Sequence, residues 1–388
     1  MTFGLHRTIL LLAATHFVVD GYGNILAPLL PLLVAKLGLS LFAAGVLQMC
    51  FQLANSISQL AFGRIADRWR PRVLLLAGPL CCATVLPLIG LAPHAMAVAL
   101  VLIVGGLGGA AFHPPAAVMV HQHSGTQRGL AMSFHITSGT LGQAIAPLLF
   151  APFVQRYGLA ATPLLVVPAL AAFGALLPRL PAVERLHETP AAGGLRALRP
   201  YARPLTLLYL IVVLRTLTAI SFSTFVPVML TRRGLTLAEA GTAVSVYLFA
   251  VGLGGFLGGP AADRFGPRRV IILSLVAAVP FLAAAPLLSG WMLVAFLAVG
   301  GLLLQSTLPV NVTFGQTLAP ISAATVSSLM MGFAWGVGGL MVPFVGMLAD
   351  RIGIEHTLLV MSALPLVAAA LAWPLPSAAR VSQVPLTP

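Results

Sequence analysis

The stretch Gly63-Arg-Ile-Ala-Asp-Arg-Trp-Arg-Pro-Arg72 returns as Gly259-Pro-Ala-Ala-Asp-Arg-Phe-Gly-Pro-Arg268-Arg269, with its aspartates at 67 and 263, half of a 388-residue chain apart. A motif that returns after half the chain means two homologous halves. Two further pairs keep the spacing: Gly38-Leu-Ser40 with Gly234-Leu-Thr236, and Gln155-Arg-Tyr-Gly158 with Asp350-Arg-Ile-Gly353. Each copy of the basic motif is a short polar link between long apolar runs. That combination constrains the fold to a parallel duplication threaded through a membrane, the arrangement of many carriers.

Composition agrees. Hydrophobic residues make up 59% and charged residues 7%, against about 25% charged in soluble domains, and the mean hydropathy is +1.02. A helix crosses a bilayer with about 20 apolar residues. Twelve such segments are expected, at 8–33, 41–63, 72–92, 95–120, 128–152, 160–178, 205–230, 238–260, 269–289, 291–317, 321–348 and 355–376. The abundant glycine and proline inside them are tolerated in lipid, and small residues let helices pack closely. The expected fold is all-α, with twelve transmembrane helices in two pseudo-symmetric six-helix bundles. Residues 1–178 form the first bundle, 179–204 an Arg-, Pro- and Ala-rich linker, and 205–388 the second. No cleavable leader is expected, because the run 8–33 is too long for one and serves as its own insertion signal.

The net charge of +13 would suggest nucleic acid on a soluble protein. Here it reads as basic loops held on one side of a membrane, and no nucleic-acid partner is expected. Fifteen of the 21 basic residues fall on the side of the 64–72 loop, five fall on the other, and Arg215 lies within a segment. By the positive-inside rule both termini and the linker are cytoplasmic, in a bacterial inner membrane. Cys50, Cys81 and Cys82 lie in apolar segments and form no redox or metal pattern. His121 and His123 are expected in a cytoplasmic loop, and two histidines alone do not make a metal site. No metal or cofactor is expected. Nor is an enzyme: no HExxH, paired carboxylates or nucleophile elbow appears among the eight acids. A channel would not need repeated loops.

Two charges stand inside segments. Asp20 lies near the middle of segment 1 and Arg215 near the middle of segment 7. A charge at the bilayer centre costs about 2.5–3.5 kcal/mol on insertion scales, so it faces a cavity or a partner. At 195 positions apart, the repeat places them at equivalent depth. Asp20 is the candidate proton-coupling acid. Arg215 is the candidate anion-binding or partner charge, its guanidinium fork matching a carboxylate or similar oxyanion. The alternative is a structural ion pair that never titrates. His16, one turn before Asp20, can share its face and tune or relay the proton, or simply pack. His113, just before Pro114-Pro115, lines the pathway or stabilises a kink. His135 is a weaker candidate.

Segment 2 carries Gln48, Gln52, Asn55 and Gln59 at steps of 4, 3 and 4, one polar stripe on a regular helix. Gln48 and Gln52 are read as cavity-lining, Gln59 as a contact between helices. Gln305, Asn311, Gln143 and Gln316 carry the same two readings. Tyr22 and Trp335 are candidate aromatic contacts to a substrate, with ordinary packing as the alternative.

The two basic motifs resemble the signature Gly-x-x-x-Asp-Arg-x-Gly-Arg-Arg of the major facilitator superfamily, with Trp69-Arg70 a departure in the first copy. A narrower resemblance is to the fosmidomycin-resistance-type exporters. It is carried by His16-Phe-Val-Val-Asp20, Ala111-Phe-His-Pro114, Arg128-Gly-Leu-Ala-Met-Ser133, Leu214-Arg215, Leu308-Pro-Val310, Gly315-Gln316 and Ser327-Ser-Leu-Met-Met-Gly332. The superfamily resemblance implies that segments 1 and 7 line a central cavity. It also implies that Asp67, Arg68 and Arg72, with Asp263, Arg264 and Arg268, form cytoplasmic gate contacts broken as the halves rock. The narrower one implies a monomeric efflux carrier exchanging protons for a small anionic or amphiphilic molecule, drug- or phosphonate-like. An uptake symporter for an organic anion or sugar is the alternative. Gly139-Thr-Leu-Gly142 with Pro147 gives only part of the antiporter pattern of segment 5.

Overall fold

The computed structural model describes residues 5–68, 71–181, 198–319 and 323–376. All regular structure among the described residues is helical. Among the described residues, twelve helices are long and apolar enough to cross a membrane. Spans 1 to 6 are Arg7–Leu37, Leu41–Ala66, Pro71–Leu91, Ala95–His123, Arg128–Tyr157 and Leu159–Arg179. Spans 7 to 12 are Arg199–Arg232, Leu237–Phe265, Pro267–Leu287, Gly290–Leu318, Thr325–Ile352 and Ile354–Ala372. Every expected segment falls on one of them. Several helices run a turn past their apolar stretch, because a helix end that reaches headgroups or water can continue with polar residues. His121 and His123, expected in a loop, are one consequence: they occupy the last turn of span 4. There histidines suit the negative end of the helix dipole.

The outward faces are apolar. Leu149, Val167, Phe256, Leu273 and Trp291 are all exposed, as side chains that meet lipid rather than water must be. Several spans are irregular inside. Span 1 breaks at Asn24–Ile25, and the Asn24 amide there donates to the Gln143 carbonyl at 2.9 Å. Span 2 contains a π-helical turn at Leu53–Ile57, and span 11 another at Leu329–Phe333. Such turns recur at functional sites. The single stripe expected on span 2 assumed a regular helix, whereas the π turn falls between Gln52 and Gln59 and includes Asn55. Gln52 is buried, and Gln59 bonds back to the Asn55 carbonyl at 2.8 Å.

The chain divides into two compact units. The first comprises Met1–His187, Ser223–Phe249 and Pro343–Asp350; the second comprises Glu188–Phe222, Ala250–Val342 and Arg351–Pro388. The minor repeat motifs build the end of the first unit remote from the 64–72 link. Gly38 (φ 60°) and Gly234 (φ 89°) end spans 1 and 7 in the left-handed region that glycine adopts without strain. Ser40 then caps span 2, accepting from the Ala43 amide at 3.1 Å. Thr236 and Glu239 cap span 8 reciprocally. The other motif pair supplies the remaining helix-start amides with acceptors. Asp350 accepts from the Leu41 and Phe42 amides at 2.8 and 2.9 Å, and Gln155 accepts from the Ala238 amide at 2.8 Å. The end of span 11 thus caps span 2, and the end of span 5 caps span 8.

Candidate functional site

Span 1 packs along span 5 more extensively than along any other helix, and glycines explain why. A Cβ on Gly142 would collide with the Phe17 carbonyl, and Gly21 sits directly against Gly142. One turn away, a Cβ on Gly139 would lie 2.5 Å from His16 Nε2 and 2.8 Å from Asp20 Oδ2. Only glycine leaves room there for the His16–Asp20 pair. The partial Gly139/Gly142 pattern is therefore the clearance that sets the site.

The pair belongs to a larger cluster in unit 1. His16 Nε2 is 3.3 Å from Asp20 Oδ2, and His113 Nε2 from span 4 is 3.6 Å from Asp20 Oδ1. Gln143 on span 5 donates to Asp20 Oδ2 at 2.9 Å. His16 Nδ1 lies 2.8 Å from the His135 carbonyl. A carbonyl only accepts, so Nδ1 carries a hydrogen, and Nε2 is the nitrogen turned toward the carboxylate. Without a proton, Nε2 would be a second acceptor at 3.3 Å, and two acceptors repel unless a positive species lies between them. The His135 ring tilts over His16 with centroids 4.3 Å apart, and Phe112 packs beside both rings, 5.8 Å from His16 and 6.3 Å from His135. His135 Nδ1 has no hydrogen-bond partner among the described residues. The His16 side chain is 9% exposed, Asp20 15% and His113 18%, so the cluster opens on the His113–Asp20 side.

Arg215 makes a different site in unit 2. It is fully buried. Nη1 donates to Gln305 Oε1, Nη2 donates to Thr216 Oγ1 at 3.0 Å, and the guanidinium lies 5.8 Å from the centre of the Trp335 ring. Asn311, on the same span as Gln305, is fully buried, and both its amide atoms lack a hydrogen-bond partner among the described residues. The structure thus brings Arg215, Gln305 and Trp335 together.

Other expected site residues are placed otherwise. Tyr22 is buried, its hydroxyl donates to the Leu165 carbonyl, and its ring meets Phe150 at 5.3 Å, joining span 1 to spans 5 and 6. Gln48 is half-buried on span 2. Among the basic motifs, Arg72 is exposed at the start of span 3, and Asp263 and Arg264 are exposed at the end of span 8. Arg264 lies over Phe265 at 5.3 Å and Arg268 over Trp373 at 5.5 Å. The side chains of Asp67 and Arg68 lie outside the described residues. On span 5, His135, Gly139 and Gln143 recur at steps of four, one helix face, and that spacing is the sequence signal for the side that meets His16 and Asp20.

A sequence model of the Major Facilitator Superfamily matches residues 12–240 and 208–373, nearly the whole chain. The chain belongs to this superfamily. It is a multi-pass membrane transporter of small molecules, not an enzyme. Among its relatives, the fosmidomycin resistance protein of Escherichia coli (strain K12) is 28% identical over 92% of this chain and 89% of that protein. The MFS-type transporter YfnC of Bacillus subtilis (strain 168), whose own role is uncharacterized, is 28% identical over 96% and 93%. The fold superposes on a bacterial homologue of the human lysosomal transporter Spinster with a TM-score of 0.78, at 18% identity, covering 94% of this chain and 95% of that one.

Proposed function

We propose that this transporter exports a small anionic or amphiphilic molecule, drug- or phosphonate-like, in exchange for protons by alternating access. The observation that carries the coupling is the approach of His16 Nε2 to the Asp20 carboxylate at 3.3 Å, with Nδ1 held by the His135 carbonyl. That geometry favours one proton held between them, in a cluster partly open to solvent. Asp20 is the coupling acid and His16 its relay, held in one tautomer by the His135 carbonyl. His113, Gln48 and Gln52 line the route in the first bundle. Arg215, with Gln305, Asn311 and Trp335, receives the anionic group. The likeness to a fosmidomycin resistance protein supports export.

Residues 1–178 and 205–388 are the rocking bundles. The basic motifs at Asp67, Arg68 and Arg72 and at Asp263, Arg264 and Arg268 serve as the cytoplasmic gate. The carrier works as a monomer in the inner membrane with both termini in the cytoplasm, as its charge asymmetry directs. Transport in proteoliposomes with an imposed pH gradient, against a panel of phosphonates, organic anions and drugs, tests the reading. Uptake into inside-acidic vesicles marks proton exchange. Uptake driven only by an outside-acidic gradient marks symport, which the same charges would serve, and overturns the export assignment.

A further inference from the structure

We propose that His16, Asp20 and His113 form a binding site for a borderline-soft divalent metal ion of the zinc, cobalt or nickel class. The proposal rests on geometry alone and holds whatever the carrier transports or in which direction.

The ligand set comes first. Two imidazoles and one carboxylate suit zinc-like ions, whereas magnesium and calcium favour oxygen ligands throughout. Spacing comes second. Ligands about 2.0–2.1 Å from a tetrahedral ion lie about 3.3 Å from one another. Here His16 Nε2 is 3.3 Å from one Asp20 oxygen and His113 Nε2 is 3.6 Å from the other. All three ligand atoms lie within 4.8 Å of one another. Rotating the carboxylate and drawing the two rings together by about an ångström completes a three-ligand face.

Orientation comes third. A metal-bound histidine almost always donates its other ring hydrogen to a carbonyl or carboxylate, which fixes the bare nitrogen on the metal. His16 already does this, Nδ1 to the His135 carbonyl at 2.8 Å. The carboxylate is likewise oriented, by Gln143 at 2.9 Å. Access comes last. Asp20 and His113 are the more exposed ligands, at 15% and 18%, so an ion can enter on that side. Three protein ligands leave a fourth position for water or for an oxygen of a bound anion.

The test uses the full-length protein, purified without a polyhistidine tag, stripped with chelator and titrated with cobalt(II) and with zinc(II). The expected result is one equivalent bound, with the visible spectrum of tetrahedral cobalt. His113→Ala and Asp20→Asn should weaken binding by at least tenfold, and Gln143→Leu by about tenfold. His123→Ala, outside the cluster, should bind as the parent does. Thermal melting and gel filtration confirm that each variant is folded. Absence of binding by the parent overturns the proposal, as does binding that survives both His113→Ala and Asp20→Asn or is lost in His123→Ala. Proton exchange measured in chelator keeps the two readings apart. Exchange without metal binding removes only this inference, and metal binding without exchange removes only the coupling role.

Discussion

Asp20 and Arg215 occupy nearly equivalent places in the repeat, yet their surroundings are opposite in kind. Asp20 is met by ionisable partners, His16 and His113, and keeps 15% of its side chain exposed. Arg215 is completely buried among Gln305, Thr216 and Trp335. An acid among histidines can exchange a cation with solvent. An arginine stays charged at any physiological pH, and the Gln305 amide and the Thr216 hydroxyl help fix its direction. Duplication set two equal positions, and divergence made one exchangeable and the other permanent. Under the proposed function, coupling belongs to the first and anion recognition to the second.

The comparison can be broken at either pole. The largest effect is expected from Asp20→Asn, which removes the exchangeable group: proton-driven accumulation is abolished while substrate exchange at equilibrium persists. Arg215→Gln comes next. It removes the permanent charge, so uptake assays should show anionic substrates losing affinity by tenfold or more, in line with about 1–3 kcal/mol for an unmatched buried polar group. Neutral substrates should change less. Arg215→Lys should restore little, because a point charge cannot reach Gln305 and Thr216 together.

Gly139→Ala places a methyl against both His16 and Asp20. Overpacking of this kind costs about 1–3 kcal/mol, visible as a lower melting temperature together with weaker coupling. The double replacement Asp67→Ala and Asp263→Ala should slow transport with melting unchanged; unaltered rates would remove these motifs from the gate. The smallest effect belongs to the helix caps. Asp350→Ala strips acceptors from two amides and should cost about 1 kcal/mol. Gln155→Ala strips one neutral acceptor from one amide and should cost less, by thermal melting.

The sequence carried the twelve spans, because a bilayer demands long apolar runs and this chain supplies them cleanly. It also carried the pairing of Gly38 with Gly234 and of Gln155 with Asp350, but not the turns and caps that these motifs make. What it could not carry was contact between spans. His16 and Asp20 were legible as an i, i+4 pair, but the approach of His113 from span 4 and Gln143 from span 5 depends on packing. Gly139 looked like a fragment of a pattern, whereas its role is to leave space. The polar stripe of span 2 assumed an even helix, and the π turn at Leu53–Ile57 interrupts that helix. Asn311, fully buried in an apolar span, was legible as an oddity, but the company it keeps was not.

The most direct test of the central claim is uphill transport by Asp20→Asn in proteoliposomes, measured beside equilibrium exchange of the same substrate. The account predicts that exchange continues while a pH gradient no longer drives accumulation. Accumulation by this variant at the parental level would contradict it.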